Sequence, residues 1–209
     1  DFSGTGGPHA GNLNAPVAVS TAAVLYAVRV LIGRELPLNE GTLRALDIRL
    51  PSPSILSPPP DAAVVGGNVE TSQRVVDLVL RAAGYMAASQ GTMNNLTLGG
   101  EGWSFYETIG GGQGAGPTEP GRSGRQVHMT NTRATDVEIL ETRLPLRVWK
   151  FGFRDRSGGM GTFTGGDGLL REIEVLEPSE ANLLATRRNS GSAGLFGGDF
   201  GVTGRQVLI

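Results

Sequence analysis

A chain of 209 residues with 18 basic and 20 acidic side chains, net charge −2, can bury a core and has no cationic surplus for a nucleic-acid backbone. Cysteine is absent, which removes disulfides, thiolate metal sites and thiol nucleophiles, and fits a cytoplasmic setting. Its most apolar run, residues 15–32, is interrupted by Ser20, Thr21 and Arg29, which argues against a membrane span.

Taken in chain order, Asn14-Ala15-Pro16 reads as a capped helix start. Val17, Thr21, Val24, Leu25, Val28, Leu31 and Ile32 recur at helical spacing up to Gly33. This predicts a helix over 16–32. Residues 44–50 are expected to form a strand, broken by the proline-rich run 51–60, and residues 62–65 a short buried strand. A second helix is predicted over 70–88, with Asn68 as its cap. Val75, Val79, Ala82 and Met86 form one stripe, and Val76, Leu80 and Ala83 the flank beside it.

Beyond Gln90 short β-forming segments alternate with glycine: 93–98, 103–109, 126–130, 146–154, 169–176 and 204–209, with 180–188 either a helix or a strand. The expected fold class is α+β, two helices in the first half packed on a glycine-rich, mainly antiparallel β second half. We expect a single region over 1–209, with a helix-containing part, 1–90, and a β-rich part, 91–209. Glycine, at 33 residues, has about twice its ordinary share of roughly 7% and is irregularly spaced, as turns and backbone packed on backbone require.

Most chemical motifs fail when tested. A P-loop needs a Gly-Lys-Ser/Thr end, and the one lysine, Lys150, lies in a predicted strand. The glycine run 110–116 has the composition of an anion cradle but also that of a bulged strand, and no strand–loop–helix context surrounds it. His9 and His128 have no metal-ligand spacing around them, and Ser157-Gly158-Gly159 is no nucleophile elbow. Two polar runs remain, Asn94-Asn95 and Val127-His128-Met129-Thr130-Asn131-Thr132-Arg133. Unpaired buried polar groups cost about 1–3 kcal/mol each, so such runs need each other, the backbone or a ligand. Asn94, Asn95, His128, Asn131 and Arg133 are therefore expected to converge, as a structural network or as a site.

An ordered series of motifs resembles the hydantoinase B/5-oxoprolinase family along essentially the whole chain. Gly11-Asn12-Leu13-Asn14-Ala15-Pro16 is similar to the family's GN-x-NAP stretch, and residues 63–74 to AVVGGNVLTSQR with Glu70 in place of leucine. Ser89-Gln90-Gly91-Thr92-Met93-Asn94-Asn95 resembles its SQGCMNN run, Thr92 replacing the cysteine. Tyr106-Glu107-Thr108-Ile109 and the glycines after it resemble YETIAGGSGAGP. His128 to Arg133, Gly165-Gly166-Asp167-Gly168 and Gly194-Leu195-Phe196-Gly197-Gly198 continue the match. Gln113 stands where a small residue is usual and Arg125 where an apolar one is, departures that bear on substrate identity.

The resemblance implies part of an ATP-dependent cyclic-amide hydrolase converting 5-oxoproline to glutamate, in glutathione metabolism. It implies no cofactor within this chain; ATP, Mg2+ and a hydrolase-site metal belong to a full-length relative. The implied partners are the upstream hydantoinase B-like and hydantoinase A-like parts and further copies in a homo-oligomer, without nucleic acid or membrane. His128 would be catalytic, moving a proton or steadying a phosphorylated intermediate. Asn94, Asn95 and Asn131 would orient the lactam and Arg133 would pair with the substrate carboxylate. The opening Asp1-Phe2-Ser3-Gly4-Thr5-Gly6 reads as the interior of a longer polypeptide, and without a P-loop or clustered metal ligands the chain alone is expected to be inactive. A non-catalytic structural or assembly subunit is the other reading.

Overall fold

The computed structural model describes residues 1–37 and 39–209. Its first half is a helical pair. Helix α1, Val17–Ile32, begins after Pro16 and stops where Gly33 takes a left-handed φ of 63°, a conformation that costs glycine little. A single π-helical turn, Gly67–Thr71, leads into α2, Ser72–Ala82. Val75, Val76 and Leu80 of α2 are buried against Ala23, Val24 and Ala27 of α1, with Ala15 and Leu56 closing the cluster.

This packing corrects several expectations. The helices bury their stripes against each other rather than against the β half, which contributes only Met129 to the cluster. On α1 the buried line is Ser20, Ala23, Val24 and Ala27, while Val17 and Ile32 are exposed. Small residues win there because they let the two helices approach closely. Helix α2 ends six residues before residue 88, since Gly84 turns the chain at φ 65°. Neither asparagine acts as a helix cap. Asn14 instead closes its own loop, accepting from the His9 amide and donating to the carbonyls of His9, Gly11 and Ala63.

The second half holds a three-stranded antiparallel sheet in the order β2-β1-β5, from Asn95–Gly100 (β1), Trp103–Thr108 (β2) and Glu180–Leu184 (β5). A separate antiparallel pair joins Leu146–Arg154 (β3) to Gly168–Val175 (β4). Helix α3, Val137–Arg143, lies between them in sequence and was missed. Its signal was present: Asp136 caps it by accepting from the amides of Glu138 and Ile139. Leu98, Phe105, Leu140 and Leu146 form the core that these elements share. A buried Arg171–Glu107 pair at 3.3 Å ties β4 to β2. The architecture is α+β, helices mostly first, as expected.

Four predicted strands are absent. Residues 43–45 form a 3-10 turn, residues 62–65 are irregular and enter a turn at Val65, residues 126–130 turn at His128-Met129, and 204–209 has no regular structure. The glycine-rich segments replace sheet with something denser. Extended stretches around residues 87–90, 111–115, 121–125, 157–167 and 187–204 exchange isolated backbone hydrogen bonds, such as Gly166 N to Gln113 O at 2.9 Å and Ala88 N to Ala193 O at 3.0 Å. A Cβ built at Gly112 would overlap the carbonyl oxygen of Gly166, and one at Gly114 that of Ala87. The 110–116 run is thus backbone packed on backbone.

Candidate functional site

Helix α2 has a second, polar face, and the family-like motifs meet on it. Glu70 in the π turn, then Arg74, Asp77 and Arg81, recur at spacings of four, three and four, which places them in one row along the helix. The apolar face turns toward α1, so this charged row faces the glycine-packed segments. Gly66 and Gly67 seat the start of the helix: Gly66 donates to Asn12 O at 2.8 Å, and a Cβ at Gly67 would overlap Asn14 O.

Glu70 organises the first cluster. Its Oε1 accepts from Thr92 Oγ1 (2.8 Å), Met93 N (3.3 Å) and Asn95 Nδ2 (3.1 Å), while its Oε2 is buried without a partner. The other Asn95 amide proton goes to Leu184 O at 2.9 Å, and Tyr106 Oη donates to Asn95 Oδ1 at 2.6 Å. Asn94, at φ 47°, donates to Ile109 O and accepts from Arg188. Burial pushes the Glu70 carboxyl above the usual carboxylate range, and the hydrogen bonds from Thr92 and Met93 offset only part of this.

That shift has a pH signature. A carboxyl with a raised folded pKa favours the fold while protonated, and the contribution is lost as pH rises through the folded value. Glu70→Gln should therefore gain melting temperature relative to wild type as pH is raised from about 5 to about 8. Thermal melts across that range, read as the difference between the two proteins, check it; a difference independent of pH would refute it.

Asp77 organises the second cluster, about 10 Å further along the helix at 1.5 Å per residue. His128 donates from Nε2 to Asp77 Oδ1 at 3.0 Å, both side chains being 4% exposed. The same oxygen accepts from Ser89 N at 2.9 Å. His128 has φ 56°, and Tyr26 meets its ring edge-on at 6.1 Å. Between the clusters, Gln73 Nε2 donates to Thr130 Oγ1 (2.6 Å) and Val127 O (3.3 Å).

Of the residues singled out in the sequence, Asn95 and His128 thus reach the same helix through different carboxylates. Asn94 joins the Glu70 cluster through Thr92. Asn131 and Arg133 are exposed and have no hydrogen-bond partner among the described residues. Sequence reasoning missed Glu70, Asp77 and the arginines. Their spacing along a helical stretch carried a signal, obscured because charge rows usually face solvent. Among the described residues no three His, Asp or Glu side chains gather as a metal ligand set.

An α+β unit seats a Gly-Gly-Asn helix start on a Gly-Asn-x-Asn-Ala-Pro loop. Residues 1–208 match the Hydantoinase B/oxoprolinase family model, and the chain belongs to that family. It is 54% identical over all 209 residues to 5-oxoprolinase 1 of Arabidopsis thaliana and 48% identical over 209 residues to the 5-oxoprolinase of Dictyostelium discoideum. It spans 16% of the length of each. The crystal structure of ATP-dependent caprolactamase from Pseudomonas jessenii shares the fold, with a TM-score of 0.73 at 21% identity over 85% of this chain and 34% of that one. No helix among the described residues is long and apolar enough to cross a membrane.

Proposed function

We propose that this chain forms part of an ATP-dependent lactam hydrolase that converts 5-oxoproline to glutamate. The observation that carries the reading is the 54% identity along the entire chain to a 5-oxoprolinase. The caprolactamase that shares its fold is likewise named for ATP-dependent action on a cyclic amide. An unstrained amide is a poor electrophile. Phosphorylation of its carbonyl oxygen by ATP turns that oxygen into a leaving phosphate and opens the carbon to water. Neither a P-loop nor a clustered metal-ligand set lies among the described residues, so ATP and Mg2+ are assigned to other parts of the full-length polypeptide.

Within this reading the residues take unequal shares. Arg133 and Asn131, exposed and uncommitted, meet the substrate, the guanidinium pairing with its carboxylate. Asn94 and Asn95 spend most of their amide hydrogen bonds on Ile109, Glu70 and Leu184, and so hold the wall that orients the lactam. His128 already donates its Nε2 proton to buried Asp77, a geometry that suits a positioning residue for the turn leading to Asn131 and Arg133.

Full-length protein should release glutamate and ADP together from 5-oxoproline and ATP, and the 209-residue chain alone should do neither. Arg133→Gln should raise KM for 5-oxoproline by about tenfold with kcat and melting temperature nearly unchanged. His128→Ala, which leaves Asp77 short of a donor, should lower turnover and melting temperature together. No 5-oxoproline-dependent ATP hydrolysis by the full-length protein would overturn the reading.

A further inference from the structure

The charged row of α2 faces a cavity of about 190 Å³ that the reading above does not use. Arg74, Asp77, Leu78 and Arg81 line it from the helix, and Arg187 from the segment opposite. Three guanidiniums therefore surround one carboxylate, and that carboxylate is already engaged. Asp77 Oδ1 serves His128 and Ser89, and Oδ2 lies 3.6 Å from Arg187, beyond a hydrogen bond.

The side-chain hydrogen bonds of Arg74 and Arg187 go to backbone carbonyls and a hydroxyl, and the one acid pairing among the three arginines is the 3.6 Å contact of Arg187 with Asp77. Arg74 donates to Gly91 O at 2.8 Å and to Thr186 Oγ1 at 3.2 Å, and Arg187 donates to Gly191 O at 2.9 Å. The Arg81 side chain has neither a hydrogen bond nor an ion pair among the described residues, and its Nε is buried without a partner. Burial lowers the pKa of Arg74 and Arg187; Arg187 lowers that of Arg74 further and Arg81 that of Arg187, while Asp77 opposes the shift at both. The surrounding backbone is built for this cluster. Arg187 sits at φ 61°, a strained value for a side-chain-bearing residue. A Cβ at Gly91, φ 64°, would stand 2.9 Å from Arg187 Nε and 3.0 Å from Asp77 Oδ2.

Two partly desolvated guanidiniums held in place, with a third, uncommitted one beside them, are an arrangement that a planar or tetrahedral oxyanion completes. The cavity is smaller than the roughly 300–1,000 Å³ typical of drug-sized ligands. We propose that the Arg74–Arg81–Arg187 cavity binds a small oxyanion, either a phosphate or the carboxylate of a small organic acid. It stands independently of the 5-oxoproline reading.

Calorimetric titration of the full-length protein at constant ionic strength, with inorganic phosphate in one arm and acetate in the other, tests it. One of the two anions should saturate a single site, and that anion names the source. Arg81→Gln, which breaks no bond within the chain, should weaken binding by about tenfold or more without lowering the melting temperature. Should that variant fail to fold, Leu78→Glu provides the same test, because it places a carboxylate beside the cluster from an exposed position and should abolish binding of the added anion. Absence of saturable binding in both arms, or binding that neither substitution weakens, would overturn the proposal.

Discussion

Replacing Leu80 by aspartate is expected to unfold the helical half of the protein. Leu80 is 1% exposed and lies where α2 meets α1, beside Val75 and Val76. Removing a buried leucine side chain costs about 2–5 kcal/mol by itself, and an unpaired carboxylate in its place adds several more. Against a typical domain stability of about 5–15 kcal/mol, that sum leaves little or nothing. Leu78→Asp, two residues away but 52% exposed, should shift stability by less than about 0.5 kcal/mol. Circular dichroism melts of the two variants make the comparison. A cooperative transition near the wild-type temperature for Leu80→Asp would show that α1 and α2 do not form a core.

An alanine at position 112 should be nearly as damaging, although it adds a single methyl group. The new Cβ would overlap the Gly166 carbonyl, whose residue is itself hydrogen-bonded to Gln113. Neither backbone is able to retreat like a flexible side chain, so the cost should reach or exceed the roughly 1–3 kcal/mol of ordinary overpacking. Gly152→Ala is the matched control: a Cβ there meets nothing within 4 Å, and β3 favours a side chain over none. Chemical denaturation of both variants checks the pair. Equal midpoints would mean that the glycine segments do not pack as tightly as described.

Both experiments turn on features that were unequally visible in the sequence. The α1 boundaries were legible because Pro16 and Gly33 mark its ends chemically, and β3 because its alternation is long enough to exclude a helix. The predicted 126–130 strand failed for a different reason. Its composition favours β structure, yet Asp77 captures His128 across 51 positions and holds the backbone at a positive φ. Local propensity carries no information about a partner that distant. The polar residues Asn94, Asn95 and His128 were recognised as demanding partners, but the partners themselves, Glu70 and Asp77, looked like ordinary members of a helix.

By itself the sequence determined the fold class, the helix α1, the strands β1 to β4 and the family, because these rest on periodicity, end-capping chemistry and ordered motifs that are local in the chain. Only the tertiary structure decided that the helices pair with each other, that the glycines pack backbone against backbone instead of cradling an anion, and that an arginine cluster gathers around Asp77. Each of these depends on groups far apart in sequence meeting in space. Arg187 meets Asp77 at 3.6 Å although the two lie far apart in sequence, on a segment held behind α2 by backbone hydrogen bonds such as Ala88 N to Ala193 O.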